Sequence, residues 1–107
     1  MKLQFTSYLE NGKLTVALHG EIDHQCAKGY IDAIASKIEV YTPRECVLDF
    51  GQVTFMDSSG IAVVINALRY MSRIQGKLSV CGLRQQPLRV FCVSGIDRLV
   101  EMKEEVL

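Results

Sequence analysis

The chain has 107 residues with 12 lysines and arginines against 12 aspartates and glutamates, so its formal net charge is zero. Apolar residues make up 49% of the sequence, which argues against intrinsic disorder and suffices for the core of one domain. The balanced charge argues against binding to nucleic acid or a membrane surface through a basic excess. The longest apolar stretches, such as residues 61–65, are far shorter than the roughly 20 residues of a membrane span.

The N-terminus and the cysteine spacing predict a cytoplasmic protein. Residues 1–5 alternate polar and apolar side chains, unlike the apolar region of a secretory signal. The cysteines never occur in a Cys-x-x-Cys spacing, so they predict neither a zinc site nor a redox pair. Each lies in an apolar context, and we interpret all of them as small buried side chains of a reduced protein. They are Cys26, Cys46, Cys81 and Cys92.

The first part of the chain predicts a β-hairpin followed by a helix. Asn-Gly at 11–12 is a strong turn signal between a strand over residues 3–9 and an alternating strand over residues 14–18. Asp23 then stands where the N-cap of a helix would be. Apolar residues recur at helical spacing over residues 25–40, which predicts that helix.

The middle of the chain predicts a buried strand, a loop and the longest helix. Residues 45–50 form a near-continuous apolar run that suits a central strand, and residues 51–56 are expected to form a loop. The run Asp-Ser-Ser-Gly at 57–60 precedes an amphipathic stretch over residues 61–71. Gly76 is expected to supply the left-handed C-cap of this helix.

The last part predicts a short strand, a helix and a final strand. Residues 78–81 form the strand, and Pro87 lies in the first turn of the helix that follows. Cys92 is expected to face inward from this helix, which Gly95 would end. Residues 99–102 are interpreted as the last strand.

Together these elements predict a single α/β domain over residues 1–107. The order is strand, strand, helix, strand, helix, strand, helix, strand. Successive strands joined by helices imply right-handed crossovers between parallel neighbours, whereas the first hairpin is antiparallel. The expected architecture is therefore a mixed β-sheet, with an N-terminal antiparallel hairpin plus parallel strands, and with helices packed against it.

The run at 57–60 is the segment most suggestive of chemistry. Asp and Ser are preferred caps because their oxygens accept the free backbone N–H groups of a first helical turn, so capping explains one of the three polar residues. A helix N-terminus also stabilises added negative charge, so a phosphoryl group on Ser58 would disturb the fold little. The run is consistent with capping alone or with a modifiable serine. Its spacing leaves open whether Ser58 or Ser59 is the exposed residue.

Several short motifs in one register resemble a known family. Phe-Met-Asp-Ser-Ser-Gly at 55–60, preceded by Val-Leu-Asp-Phe at 47–50, resembles the STAS-domain anti-sigma factor antagonists. Leu-His-Gly-Glu-Ile-Asp-His at 18–24 looks like a second marker of that family. Gly-Lys-Leu at 76–78 and Val-Ser-Gly-Ile at 93–96 agree with it. The resemblance covers nearly the whole chain and implies a STAS domain.

The resemblance implies that the chain is a switch rather than an enzyme. It implies phosphorylation of the first serine of the run, Ser58, by an anti-sigma factor that is itself an ATP-dependent serine kinase. It also implies a serine phosphatase that acts on the phosphorylated form. The unphosphorylated form would bind the anti-sigma factor and release a sigma factor of sporulation or of general stress. The expected partner-binding residues are Asp23, Met56, Asp57, Ser58, Ser59, Gly60 and Ile61.

The same interpretation includes several expected absences. The chain is expected to have no catalytic residue, no cofactor and no metal, and to bind neither nucleic acid nor a membrane. We expect a monomer, because no long apolar edge or patch is evident. Members of the family carry a helix after the last strand, and the brevity of residues 103–107 predicts that this helix is short or absent here.

A serine hydrolase is the enzymatic alternative. Ser58 or Ser59 at a turn from strand to helix resembles a nucleophile elbow, and His19 or His24 would be the general base. However, Met56 stands where the first glycine of a Gly-x-Ser-x-Gly motif would be. The sequence therefore favours this alternative only weakly.

Two further alternatives concern a metal and a different STAS role. A metal site would draw on His19, Asp23, His24 and Cys26, but their spacing differs from the i, i+4 pattern of a zinc-binding helix. We interpret them instead as surface histidines and a buried cysteine. A STAS domain could also be a constitutively docked subunit of a transport complex without a phosphorylation cycle. The intact serine run at 57–60 favours the switch over this role.

Overall fold

The computed structural model describes residues 4–103, which form one five-stranded sheet and three α-helices. The strands follow one another in the order β1-β2-β3-β4-β5, with β1 antiparallel to β2 and every other pair parallel. This is the predicted mixed sheet. The elements are β1 (Phe5–Glu10), β2 (Lys13–Ile22), α1 (His24–Tyr41), β3 (Glu45–Met56), α2 (Ser58–Arg73), β4 (Lys77–Cys81), α3 (Gln85–Ser94), a 3₁₀ helix (Ile96–Arg98) and β5 (Glu101–Lys103).

One face of the sheet carries the helices and the core. Right-handed crossovers between strands that follow one another across a sheet place the connecting helices on the same side. Alternate residues of β2 (Leu14, Val16 and Leu18) are almost fully buried there, and α1 and α2 pack against each other above them. Full burial of one such side chain contributes about 1.5–3 kcal/mol, which makes this face the main source of stability. No helix in residues 4–103 is long and apolar enough to cross a membrane.

The prediction of a loop at 51–56 is wrong, because these residues extend β3. They pair with the end of β2, whose register shifts twice along the way, at Ala17/His19 and at Gly20/Glu21. Such bulges insert residues that break the two-residue alternation of a strand, so the sequence pattern carries no strand signal here. The extension brings Met56 directly opposite Ile22.

The turn and cap predictions are confirmed at three places and wrong at one. Asn11 and its following glycine both have positive φ, Asp23 caps α1, and Gly95 ends α3 with φ +82°. Gly76 is not the left-handed residue after α2, because Gln75 takes that conformation with φ +59°. A side chain on Gly76 would displace the end of the Met71 side chain and lie 3.2 Å from the carbonyl oxygens of Pro43 and Arg44, so the glycine relieves crowding here.

The cysteine prediction holds for three residues and fails for the fourth. Cys26, Cys46 and Cys81 are buried and free. Burial raises the pKa of the Cys46 and Cys81 thiols to about 12, so both stay neutral. Cys92 is also free but exposed, because the inward face of α3 is formed by Pro87 and Phe91 instead. Residues 104–107, where the C-terminal helix of the family is expected to be short or absent, lie outside the described residues.

Gly82 joins β4 to α3 where two backbones approach closely. Its φ is +76°, and a Cβ there would lie 2.6 Å from the Gly51 nitrogen and 2.8 Å from Oδ1 of Asp49. That Oδ1 already accepts a hydrogen bond of 2.8 Å from the Gly51 N–H. A side chain at position 82 would therefore combine backbone strain with a collision against fixed atoms.

We predict that Gly82→Ala lowers the free energy of unfolding by about 3 kcal/mol or more, the sum of left-handed strain and overpacking. Gly95→Ala is the matched control, since Gly95 has a similar φ of +82° and a Cβ added to it would meet no atom within 4 Å. It should lose only about 1–2 kcal/mol. Urea denaturation measures both, and equal losses would show that the approach of Gly82 to Gly51 is unimportant.

Candidate functional site

The candidate site lies where β2 and β3 end side by side. Ile22 pairs with Met56, and the N–H of Asp57 donates a hydrogen bond of 3.2 Å to the carbonyl oxygen of Ile22. The next residue after each strand is an aspartate that caps the following helix, Asp23 for α1 and Asp57 for α2. The pairing of the two strands therefore places two helix N-termini and their capping carboxylates next to each other.

Asp23 forms the more complete of the two caps. Its Oδ1 accepts hydrogen bonds from the backbone N–H groups of Gln25, at 3.0 Å, and Cys26, at 3.2 Å. Its own N–H lies 3.4 Å from Sγ of Cys26, which closes a capping box. The hydrogen bond from the backbone of Cys26 is the main cause that holds the pKa of the Asp23 carboxyl below its ordinary value.

The cap of α2 decides which serine is accessible. Oδ1 of Asp57 accepts a hydrogen bond of 2.7 Å from the backbone N–H of Ser59. The aspartate therefore performs the capping, and neither serine side chain is needed for it. Ser58, the first residue of α2, is exposed, whereas Ser59 is half-buried. The accessible hydroxyl is therefore that of Ser58.

Three of the predicted partner-binding residues, Met56, Gly60 and Ile61, are buried. Met56 is fully buried, and a Cβ on the buried Gly60 would lie 2.7 Å from its sulfur. The side chain of Met56 therefore packs under the first turn of α2, in the space that Gly60 leaves free. The expectation that Met56 presents its side chain to a partner is wrong. Ile61 is 8% exposed and contributes only the floor of a groove.

Gln86 fixes the end of β3, a role that was not predicted from the sequence. Its Nε2 donates a hydrogen bond of 2.7 Å to the carbonyl oxygen of Met56, and its Oε1 accepts one of 2.9 Å from the N–H of Met56. The side-chain amide thus pairs with the backbone of Met56 as a neighbouring strand would. No local pattern marks this glutamine, because the contact joins residues 30 positions apart.

A groove of about 460 Å³ opens beside Ser58, between the start of α2 and the outer face of α3. Val93 forms one wall and is 88% exposed, the largest exposure among the large apolar side chains of residues 4–103. Together with Ile61 and Val90, Val93 forms a contiguous apolar surface next to an accessible serine, and such patches mark protein interaction sites. The groove is lined by Ser58, Ile61, Arg89, Val90, Val93 and Ser94.

The geometry gives no support to the two chemical alternatives. In the part of the chain that the structure describes, no hydrogen bond joins a histidine to the hydroxyl of Ser58 or Ser59. Nε2 of His19 is buried without a partner, so this imidazole is not oriented toward either serine by a hydrogen bond. Residues 4–103 also contain no group of three or more histidine, cysteine, aspartate or glutamate side chains placed to hold a metal ion.

Comparison with known proteins identifies the relatives of the chain. A family model described as the STAS domain matches residues 5–106. The anti-sigma-B factor antagonist of Listeria monocytogenes is 29% identical over 93 residues, which cover 84% of this chain and 78% of the relative. The anti-sigma F factor antagonist of Paenibacillus polymyxa is 29% identical over 104 residues, which cover 94% and 86%. The Bacillus cell fate determinant SpoIIAA, solved in its phosphorylated form, shares the fold with a TM-score of 0.75 at 22% identity, covering 96% of this chain and 92% of that one.

We predict that the contribution of the Asp23 cap to stability is lost in acid. A carboxyl whose pKa is lower in the folded chain stabilises the fold above its ordinary pKa of 3.8, and this stabilisation disappears as the pH falls through the lowered value. The deficit in melting temperature of Asp23→Ala relative to wild type should therefore shrink from neutral pH toward strong acid. Asp23→Asn, whose oxygen accepts hydrogen bonds without titrating, is the control. A deficit of Asp23→Ala that is constant with pH would contradict the prediction.

Proposed function

Because the chain belongs to the STAS domain family, we propose that it is an anti-sigma factor antagonist that phosphorylation of Ser58 switches off. The observation that carries the proposal is the exposed hydroxyl of Ser58 at the start of α2, beside an open apolar groove. The names of the two relatives, which match most of this chain, support the antagonist part of this proposal. The chain would act in the cytoplasm as a binding protein without a cofactor.

The proposed docking face consists of Asp23, Asp57, Ser58 and Ser59 together with the groove. All four residues are exposed or half-buried, and they follow directly from the paired ends of β2 and β3. Met56 and Gly60 support the face from below. In the unphosphorylated chain the face combines the two capping carboxylates, neutral hydroxyls and an apolar wall. A protein partner can desolvate such a surface at modest cost in free energy.

The partner in this proposal is an anti-sigma factor with serine kinase activity and bound ATP. In the transfer step, Oγ of Ser58 attacks the γ-phosphorus and forms the new O–P bond. The bond from the γ-phosphorus to the β,γ-bridging oxygen breaks, ADP leaves, and the hydroxyl proton passes to a base of the kinase. The chain supplies only the acceptor oxygen, and a serine phosphatase would later hydrolyse the ester to restore the hydroxyl.

Phosphorylation would switch binding off by local electrostatics. The phosphoryl group adds about −1.5 to −2 charges to a face that already carries the carboxylates of Asp23 and Asp57. The free N–H groups at the start of α2 stabilise that charge in the isolated chain, so no change of fold is needed. A partner that covers the face must instead desolvate a dianion, which costs several kcal/mol when the charge is left unpaired.

We predict that the kinase adds one phosphate to the wild-type chain and none to Ser58→Ala. Ser59→Ala is the matched control and should be phosphorylated normally, because Ser59 is half-buried and its neighbour Ser58 is the accessible one. Intact mass spectrometry after incubation with ATP and the anti-sigma factor measures the gain. Phosphate on Ser58→Ala, or its loss in Ser59→Ala, would contradict the assignment of the acceptor.

We further predict that phosphorylation weakens binding to the anti-sigma factor by about a hundredfold to several thousandfold, since each 1.4 kcal/mol is a factor of ten. Ser58→Ala should bind almost as tightly as the unmodified wild type, because it introduces no charge. Isothermal titration calorimetry with the purified forms measures the ratio. Equal affinity of the modified and unmodified forms would favour the alternative of a constitutively docked STAS subunit.

A further inference from the structure

Arg89 shares the groove with Ser58 and is not used by the function proposed above. Arg89 lies on the exposed side of α3, whose buried side is formed by Pro87 and Phe91. It is the one charged side chain among the six residues that line the groove. None of the ion pairs found within residues 4–103 involves it. The groove therefore holds an exposed cation, free of ion pairs within that range, on the same concave surface as the accessible serine.

We infer that Arg89 is the receptor for the phosphoryl group of modified Ser58, so that the phosphoserine folds into the groove between α2 and α3. The inference rests on the proposed phosphorylation of Ser58. A neutral hydroxyl gives the guanidinium no charged partner, whereas a phosphate offers three acceptor oxygens that match its planar fork of donors. Phosphorylation of Ser58 therefore gives Arg89 a charged partner, which the unmodified hydroxyl is not.

The charges around Ser58 favour this direction for the phosphate. The carboxylates of Asp23 and Asp57 lie at the two helix starts, and neither lines the groove. Both repel a phosphate, while Arg89 attracts it from the side of α3. The remaining lining residues, Ile61, Val90, Val93 and Ser94, carry no charge.

Pairing with Arg89 neutralises part of the added charge and adds a steric element to the switch. A phosphoryl group held in the groove occupies space beside Ile61 and Val93 that an apolar side chain of a partner would otherwise fill. The modified chain then differs from the unmodified one both in its charge and in the shape of its docking face. Arg89 would be a positioning residue for the phosphate and would take no part in its transfer.

The test measures the pKa of the phosphoserine itself and does not depend on any kinase. Phosphoserine is incorporated at position 58 during translation, and ³¹P NMR follows its second ionisation in wild type, Arg89→Gln and Arg89→Lys. Pairing with a cation favours the dianion, so Arg89→Gln should raise this pKa by about half a pH unit, as expected for an exposed ion pair. Arg89→Lys should retain most of the lower value, because it keeps the charge.

Phosphoserine at position 36 is the matched control, since Ser36 is an exposed residue of α1 away from the groove. Its pKa should be the same with arginine or glutamine at position 89. An unchanged pKa at position 58 in Arg89→Gln, or an equal change at position 36, would overturn the inference. Because the phosphate is installed without the anti-sigma factor, that result would leave the kinase reaction at Ser58 untouched. Conversely, failure of the kinase to modify Ser58 would refute the proposed function without affecting this measurement.

Discussion

The whole site depends on the parallel pairing of β2 with β3. This pairing continues past two register shifts and ends with Ile22 opposite Met56. The hydrogen bond from the N–H of Asp57 to the carbonyl of Ile22 then carries this alignment one residue beyond the sheet. Each strand is followed at once by an aspartate and a helix, so aligned strand ends produce aligned helix starts. A loop at 51–56 in place of a bulged strand would leave the two caps, and the serine behind the second cap, without a fixed relation.

Because Asp57 caps α2 and Ser58 does not, the proposed modification of Ser58 would leave the fold unchanged. Oδ1 of Asp57 accepts the hydrogen bond from the Ser59 N–H, so the hydroxyl of Ser58 is not needed for capping, and Ser58 is exposed. The N–H groups of that turn favour negative charge, so the isolated domain would tolerate a phosphate. The proposed partner would remove water from the same position and raise the free-energy cost of that charge. A binding switch needs a phosphate that the free chain tolerates and the complex does not.

Local features of the fold and site could be predicted from sequence, and long-range ones could not. The cap at Asp23 and the helix start at 57–60 follow from residue chemistry within a few positions, and the mixed sheet follows from the hairpin and the helical crossovers. The extension of β3 was missed because bulges erase the strand period. Other features come from the packing of α3 against the end of β3 and the start of α2. They are the burial of Met56, its backbone hydrogen bonds with Gln86, and the shared groove of Arg89 and Ser58. No periodicity in one segment reports such contacts.

The proposed partner docks on the face formed by the two helix starts and the adjoining groove. The most direct measurement is an NMR titration of the ¹⁵N-labelled, unmodified chain with the unlabelled anti-sigma factor. The account predicts that amide signals at residues 23–25, 57–61 and 89–94 shift or broaden first. Signals at residues 8–10 of β1, which pair with the start of β2 at the opposite end from Ile22, should remain in place. Perturbations centred on β1 or β5, with the signals around Ser58 unchanged, would contradict it.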